Sequence, residues 1–296
     1  MDKVQTTIVI GNGFDQDLGR GTSYKDFVNS ADVKFAALRT HLLSQLIEAS
    51  NRNWIDLELE LRNAILKWYN HGKKEDFAKE INVTWLILNR ALFDYFFRLD
   101  NNPKNEINTN SCAYVLLQKL QRNYTIYSFN YFNPFYDKGE KSPNFDFVHG
   151  EYVHDDFSSG LMIMSQWSNM GFGVDRLEME SVIGNNEDLK PIIKHSQSDL
   201  QEALRRTNNV IIFGHSLGIT DCDYFKPAFE EILMKNSPIR RITIITLNKD
   251  ALNKIKESTL SWGIDLDKVS QCVPIKYIYT EKGANDIDFM ELLATL

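Results

Sequence analysis

A glycine-containing turn directly after the first predicted strand has the composition of a nucleotide-binding loop. Residues 11–15 read Gly-Asn-Gly-Phe-Asp and follow the β-branched run at residues 6–10. Glycines in this position let backbone N–H groups approach a phosphate, and the N-terminus of a following helix favours the anion. The dinucleotide fingerprint GxGxxG is incomplete, because Gln16 occupies the place of the third glycine. Asp15 suits a ribose hydroxyl better than a pyrophosphate, and a plain strand-to-loop turn is the alternative.

A second turn, at residues 214–218, reads Gly-His-Ser-Leu-Gly and matches the GxSxG pattern of serine hydrolases. In α/β-hydrolases the catalytic histidine follows the nucleophile along the chain, but none of the six histidines follows Ser216. This order argues against Ser216 as a nucleophile. The turn is therefore predicted to hold a ligand through backbone N–H groups and the Ser216 hydroxyl. Asp221 is either a helix cap or a ligand contact.

Asn130 follows a short predicted strand at residues 124–129, and His149 is the last residue of another, at residues 145–149. Open parallel sheets place functional side chains at such strand ends. Together the two side chains can orient a water or a sugar hydroxyl and transfer its proton, and histidine suits this near neutral pH. Substitution of either by alanine is expected to leave the melting temperature nearly unchanged. The alternative for each residue taken singly is an ordinary loop or core position.

Two weaker candidates are a carboxylate and a cluster of metal-ligand types. Glu58 shares a helix face with Trp54, so it is either a cleft carboxylate with a raised pKa or an exposed acid beside a core aromatic. His149 with residues 154–156 (His-Asp-Asp) offers nitrogen and oxygen ligands, but the spacing matches no zinc signature. A solvated turn is favoured for residues 154–156, and no metal is predicted.

The elements that must position these residues alternate between short apolar strands and capped helices. This alternation predicts an α/β fold with a mostly parallel sheet that is covered by helices on both faces. Residues 31–100 have helical spacing, no proline and only Gly72, which indicates a helical insert. The predicted domains are a core at 1–30 and 105–296 and an insert at 31–104. Further strands are expected at 209–213, 242–247 and 275–279. Helices are expected at Tyr24 (capped by Ser23), at 112–121, after Thr220 (which is predicted to cap it with Asp223), at 249–262 and at 286–296.

Composition excludes several classes of protein. Lys and Arg number 33 and Asp and Glu 40, for a net charge of −7, which argues against non-specific nucleic-acid binding. The three cysteines form no CxxC pair, as expected of reduced thiols. No apolar run approaches the ~18 residues of a membrane span, and the first residues lack a leader pattern. We therefore expect a cytoplasmic protein with no membrane partner.

The motifs at 8–15 and 19–27 resemble the N-terminal signature of the AbiH-type phage abortive infection family. Further landmarks of that family are matched in order by Trp54 with Glu58, Phe129-Asn130-Tyr131, His149-Gly150, and residues 214–217 with Asp221 and Asp223. The family is more distantly similar to sirtuin-like NAD-hydrolase domains of bacterial defence systems. That resemblance implies a Rossmann-like sheet with a helical insert, NAD⁺ cleavage by Asn130 and His149, and a nucleotide held by both glycine turns.

The sequence departs from that wider group at two motifs. The first loop reads Gly-Asn-Gly-Phe-Asp instead of Gly-Ala-Gly-x-Ser, and Asn130-Tyr131-Phe132 lacks the acid of Asn-Tyr-Asp. Zinc-binding cysteine pairs are absent, so protein deacetylation is not expected. The candidate nucleotide-binding residues are Gly11, Asn12, Gly13, Phe14, Asp15, Ser23, Tyr24, Gly214, His215, Ser216 and Asp221.

The resulting expectation is an antiphage effector that binds NAD⁺ or a related nucleotide and cleaves the nicotinamide–ribose bond after a phage-derived trigger. Three alternatives stay open: a non-catalytic module that senses a nucleotide or a partner, a serine hydrolase using Ser216, and a metal-dependent nuclease. A homo-oligomer is compatible with the sequence.

Overall fold

A six-stranded parallel sheet forms the centre of the fold. The computed structural model describes residues 5–30, 32–34, 87–88, 90–101, 107–120, 124–131, 133–134, 143–148 and 199–296. The strand order is β3-β2-β1-β4-β5-β6, which is a Rossmann-like topology and confirms the predicted fold class. The strands are β1 Thr6–Ile10, β2 Thr125–Ser128, β3 Asn144–Phe147, β4 Asn209–Phe213, β5 Arg241–Thr246 and β6 Ile275–Tyr279.

Side chains alternate between the two faces of the sheet, and helices cover both faces. Val9, Val210 and Ile212 join one apolar cluster, whereas Ile8, Ile10 and Ile211 join the other. The first cluster includes residues of α4 Cys222–Leu233, α5 Lys249–Ser261, α6 Leu266–Cys272 and the helical residues 199–206. The second includes residues of α1 Asn12–Asp17, α3 Cys112–Lys119 and α7 Ile287–Leu293.

The register of the sheet aligns the ends of five strands. Ile10 pairs with Ser128 and with Phe213. In turn Ser128 pairs with Phe147, and Phe213 pairs with Ile245. The residues that follow β1, β2, β3 and β4 therefore lie along one carboxyl edge of the sheet.

Local capping explains where several helices begin. Ser23 Oγ accepts a hydrogen bond from the Asp26 amide at 3.0 Å, so α2 Tyr24–Asn29 starts where the capping-box pattern predicts it. The predicted cap at Thr220 is wrong, because residues Ile219–Asp221 form a 3₁₀ turn closed by the bond from the Asp221 amide to the Gly218 carbonyl. The short helices α1 and α6 were not predicted; Asp265 caps α6 by accepting from the Asp267 amide at 2.9 Å.

The chain divides into two compact units. The first comprises Met1–Arg20, Asn105–Val148 and His195–Leu296 and holds the sheet; the second comprises Gly21–Lys104 and His149–Lys194. In the second unit, residues 90–100 are helical, and the Tyr95 hydroxyl donates to the Gly21 carbonyl at 2.5 Å. Most of the predicted helical insert, 31–104, lies outside the described residues. Within the described ranges, no helix combines the length and apolarity that a membrane crossing requires.

Candidate functional site

Three segments that are far apart in sequence meet at the carboxyl edge of the sheet. The first glycine turn (residues 11–15) follows β1, Asn130 follows β2, and the second glycine turn (residues 214–218) follows β4. Strands β1 and β4 are neighbours at the point where the strand order reverses direction. Ligands of doubly wound sheets bind at this topological switch point.

The two glycine turns pack against each other at backbone contact distance. The Gly13 amide donates to the Gly214 carbonyl at 2.8 Å. A Cβ on Gly11 would lie 2.7 Å from His215 Cα, and one on Gly13 would lie 2.8 Å from Gly214 Cα. Gly214 has φ +64°, and its Cβ would lie 2.2 Å from the Phe14 amide nitrogen. Glycine is therefore required at three positions by contact between the turns themselves.

Two backbone N–H groups that were predicted to bind a phosphate are already hydrogen-bonded within the protein. The Gly11 amide donates to the Phe213 carbonyl at 2.9 Å, and the Gly13 amide is bonded to Gly214. Phe14 is fully buried, and its ring meets Phe213 edge-on at 5.0 Å. A ligand at this edge would have to use other groups, of which Ser216 is exposed and Asn12 is half-buried.

Asn130 braces the first glycine turn against the end of β2. Its Nδ2 donates to the Gly11 carbonyl at 2.9 Å, and its backbone amide donates to Ser128 Oγ at 3.1 Å. Asn130 is 4% exposed, so its side chain is enclosed by the protein. The bond between the two strand ends fixes the position of the turn.

Asp15 is a buried carboxyl group next to Asn130. Burial raises its pKa to about 7, and the positive charge of Arg20 and the Asn130 amide lower it by less. Its Oδ1 has no hydrogen-bond partner among the described residues. A carboxyl group with this pKa is partly protonated and partly ionised at neutral pH, so it can both donate and accept a proton there.

His215 is buried in the second glycine turn and is engaged through both ring nitrogens. Nδ1 accepts from the Leu217 amide at 2.9 Å, and Nε2 lies 3.4 Å from Asp221 Oδ2. Because Nδ1 is an acceptor, the neutral ring carries its proton on Nε2, toward Asp221. The Phe129 ring packs edge-on at 4.2 Å. Within the described residues, His215 and Asp221 thus hold the turn together from inside.

Leu217 has a left-handed backbone conformation, with φ +50°, and a fully buried side chain. For a residue other than glycine this conformation costs of order 1–3 kcal/mol and persists only when the surroundings enforce it. Here its carbonyl accepts from Ser258 Oγ at 2.8 Å and from Trp262 Nε1 at 3.1 Å. Sequence reasoning missed Ser258 and Trp262, because only tertiary packing brings them to the turn.

The second glycine turn does not have the geometry of a nucleophile elbow. An elbow places the serine itself at the strained position between a strand and a directly following helix. Here the positive φ angles belong to Gly214 and Leu217, and α4 begins only at Cys222. Both nitrogens of His215 are already engaged, so the neighbouring histidine does not serve Ser216 as a base.

The remaining predicted site residues are outside the described ranges or belong to the second compact unit. His149 and Glu58 fall outside the described residues. Ser23 caps α2 and Tyr24 begins it, both in the second compact unit. In the described part of the chain, no three His, Cys, Asp or Glu side chains are grouped so that they could hold a metal ion.

A protein-family model matches most of the chain. The family described as Bacteriophage abortive infection AbiH matches residues 7–244. The chain belongs to this family. No curated protein matches it. The AbiH match contains both glycine turns and Asn130, whereas Ser258 and Trp262 lie beyond its end. The likeness of AbiH proteins to sirtuin-like domains stays a prediction.

Proposed function

We propose that this AbiH protein defends against phage by binding NAD⁺ or a related nucleotide at the carboxyl edge of β1, β2 and β4, and by cleaving the nicotinamide–ribose bond. The observation that carries the proposal is the convergence of Asp15, Asn130 and the two glycine turns at the topological switch point. The family supplies the defence role, and the position at the switch point favours a nucleotide as the ligand.

Cleavage needs a proton acceptor more than it needs a strong nucleophile. The C1′–N bond breaks, its electron pair neutralises the pyridinium as nicotinamide leaves, and water adds to the oxocarbenium-like carbon and loses a proton. His149 is the proposed acceptor, and Asp15, with a pKa of about 7, is chemically suited to exchange a proton at the same pH. A positioned acid–base group contributes typically 10²–10⁴ in rate.

Release of nicotinamide tests the reaction directly. Purified protein is incubated with NAD⁺, with and without lysate from infected cells, and nicotinamide is measured by chromatography. His149→Ala is expected to lower the rate by at least about 100-fold. The control is His154→Ala, at a position that the sequence predicts to be in a solvated turn, and this variant is expected to retain the rate. If the wild-type protein consumes no NAD⁺ under either condition, the proposed reaction is wrong.

His149 carries this test because Asn130 also has a structural task. Its side-chain bond to the Gly11 carbonyl is buried, so the expectation that Asn130→Ala leaves the melting temperature unchanged no longer holds. Loss of activity in that variant could therefore result from the loss of a catalytic group or from the loss of the hydrogen bond to the Gly11 carbonyl.

The second candidate function is a non-catalytic nucleotide sensor. It is favoured because Asn130 Nδ2 and both ring nitrogens of His215 already contact other groups of the protein. Calorimetry that shows NAD⁺ or ADP-ribose affinity without release of nicotinamide would select this function. The serine-hydrolase alternative predicts labelling of Ser216 by a fluorophosphonate probe, and the geometry of the turn leads us to expect none.

A further inference from the structure

We propose that Ser258 and Trp262 are positioning residues that hold the second glycine turn in the conformation that presents Ser216 to the ligand. The proposal rests on the proposed function, because it takes this turn as part of the ligand site. It goes beyond that function by assigning a role to two residues of α5 and its C-terminal cap, which lie outside the AbiH match.

Both backbone groups of Leu217 are fixed by side chains from elsewhere in the fold. Its carbonyl receives two donors, Ser258 Oγ at 2.8 Å and Trp262 Nε1 at 3.1 Å, which fill both lone pairs of the oxygen. Its amide donates to His215 Nδ1 at 2.9 Å. The Trp262 side chain is 5% exposed, so its bond is shielded from water.

The strained conformation depends on these bonds. At φ +50° a leucine returns to the ordinary region of backbone angles unless its surroundings prevent it. Such a return would rotate the peptide group between Ser216 and Leu217 and move the serine. On its other side the turn is fixed by contact between Gly214 and Gly13. Ser216 therefore lies between two fixed points, and it carries the exposed side chain of the turn.

Conservative substitutions can remove each donor and keep the packing. Ser258→Ala removes one hydroxyl, and Trp262→Phe removes the indole N–H but keeps an aromatic ring against Phe229. The matched control is Ser261→Ala, on the same helix, because the Ser261 hydroxyl is exposed and donates to the Ser258 carbonyl at 2.7 Å, not to the turn. Each variant is made singly, and the two positioning substitutions are also combined.

Four measurements are made on each full-length variant. They are amide hydrogen exchange of Leu217, NAD⁺ affinity by calorimetry, the melting temperature, and protection of cells against a panel of phages by plaque counts at matched protein levels. The double variant is expected to exchange the Leu217 amide at least tenfold faster, to bind NAD⁺ at least tenfold more weakly and to lose at least tenfold in protection. The melting temperature of each single variant is expected to fall by a few degrees, because a hydrogen bond inside the fold is lost. Ser261→Ala is expected to match the wild type throughout.

Faster exchange with unchanged affinity and protection would overturn the proposal, since the bonds would then have a structural role alone. Unchanged exchange in the double variant would overturn it as well. A wild-type protein that protects cells but does not bind NAD⁺ contradicts the proposed function. The positioning role of Ser258 and Trp262 is then tested by plaque counts and amide exchange alone. If Trp262→Phe fails to accumulate, the proposal is tested with Ser258→Ala, which deletes one oxygen, by the same measurements.

Discussion

Asp15 is a buried carboxyl group whose ionisation lowers the stability of the folded protein. In the unfolded chain its pKa has the ordinary value of 3.8, and burial raises it to about 7 in the folded protein. The folded state therefore binds the proton more tightly, and stability falls as pH rises from about 4 to 7. Each tenfold difference in proton affinity is about 1.4 kcal/mol, so the full penalty is on the order of 4 kcal/mol and is complete above pH 7.

We predict that Asp15→Asn raises the free energy of unfolding at pH 8 by about 2 kcal/mol. The full penalty already includes the attraction to Arg20, and the gain is smaller because the amide nitrogen of the new side chain brings buried donors that need acceptors. The fall in stability between pH 4 and 7 should become shallower at the same time. Urea denaturation at pH 4, 6 and 8 measures both effects.

The control for this variant is Asp250→Asn, at an exposed position in the first turn of α5, which is expected to change stability by less than about 0.5 kcal/mol. A less stable Asp15→Asn protein at pH 8, with the pH dependence of the wild type, would show that the carboxyl group is not penalised by burial.

Asn130 allows a similar prediction for a buried hydrogen bond. Asn130→Ala leaves the Gly11 carbonyl without this donor, which should cost about 1–3 kcal/mol in unfolding free energy. Asn101→Ala removes a bond of the same type, Nδ2 to the Phe97 carbonyl at 2.7 Å, from an exposed site and should cost less than about 0.5 kcal/mol. Equal losses in the two variants, measured by urea denaturation, would contradict the brace.

At the scale of elements, the contact between the glycine turns is the feature that sequence reasoning could not supply. Strand ends were predicted from β-branched apolar runs, and the shared carboxyl edge follows from parallel pairing. The same glycine motif, however, allows close approach of either a phosphate or another backbone segment. The sequence therefore could not show that Gly11 and Gly13 contact the second glycine turn. The helix α6 was missed because its two buried residues, Leu266 and Val269, are too few to set a period.

Gly11→Ala is predicted to lower the unfolding free energy by about 3 kcal/mol, because the new methyl group would meet the backbone of His215 at 2.7 Å. Gly21→Ala is the matched control: among the described residues no atom lies within 4 Å of its Cβ position, and its φ is not positive. It should be neutral or stabilising by up to about 1 kcal/mol. Thermal and urea unfolding compare the pair, and similar losses in both variants would argue against contact between the turns.

At the scale of the whole molecule, strand positions were predicted but their order was not. Hydrophobic runs locate each strand, whereas the order 3-2-1-4-5-6 depends on how crossover helices pack, which no single segment encodes. The net charge of −7 is also a property of the whole chain, and it sets the long-range field.

We predict that the purified protein does not bind duplex DNA at physiological salt, because a net negative molecule gains little from releasing counterions. Fluorescence anisotropy with a labelled 30-base-pair duplex, at low and at physiological salt, measures this. Binding that weakens steeply with salt would reveal a local basic surface and would revive the nuclease alternative.

The contact between the two turns also determines which substitutions the chain can accept. A saturation mutagenesis library selected only for accumulation of folded protein, with no phage present, should already be depleted of every replacement at Gly11, Gly13 and Gly214. Invariance at these three sites would then report on assembly of the sheet edge and could not be taken as a signature of nucleotide recognition. The informative position in such a library is Ser216. Substitutions there that allow the protein to fold but abolish protection during infection would show that Ser216 is needed for function and not for folding.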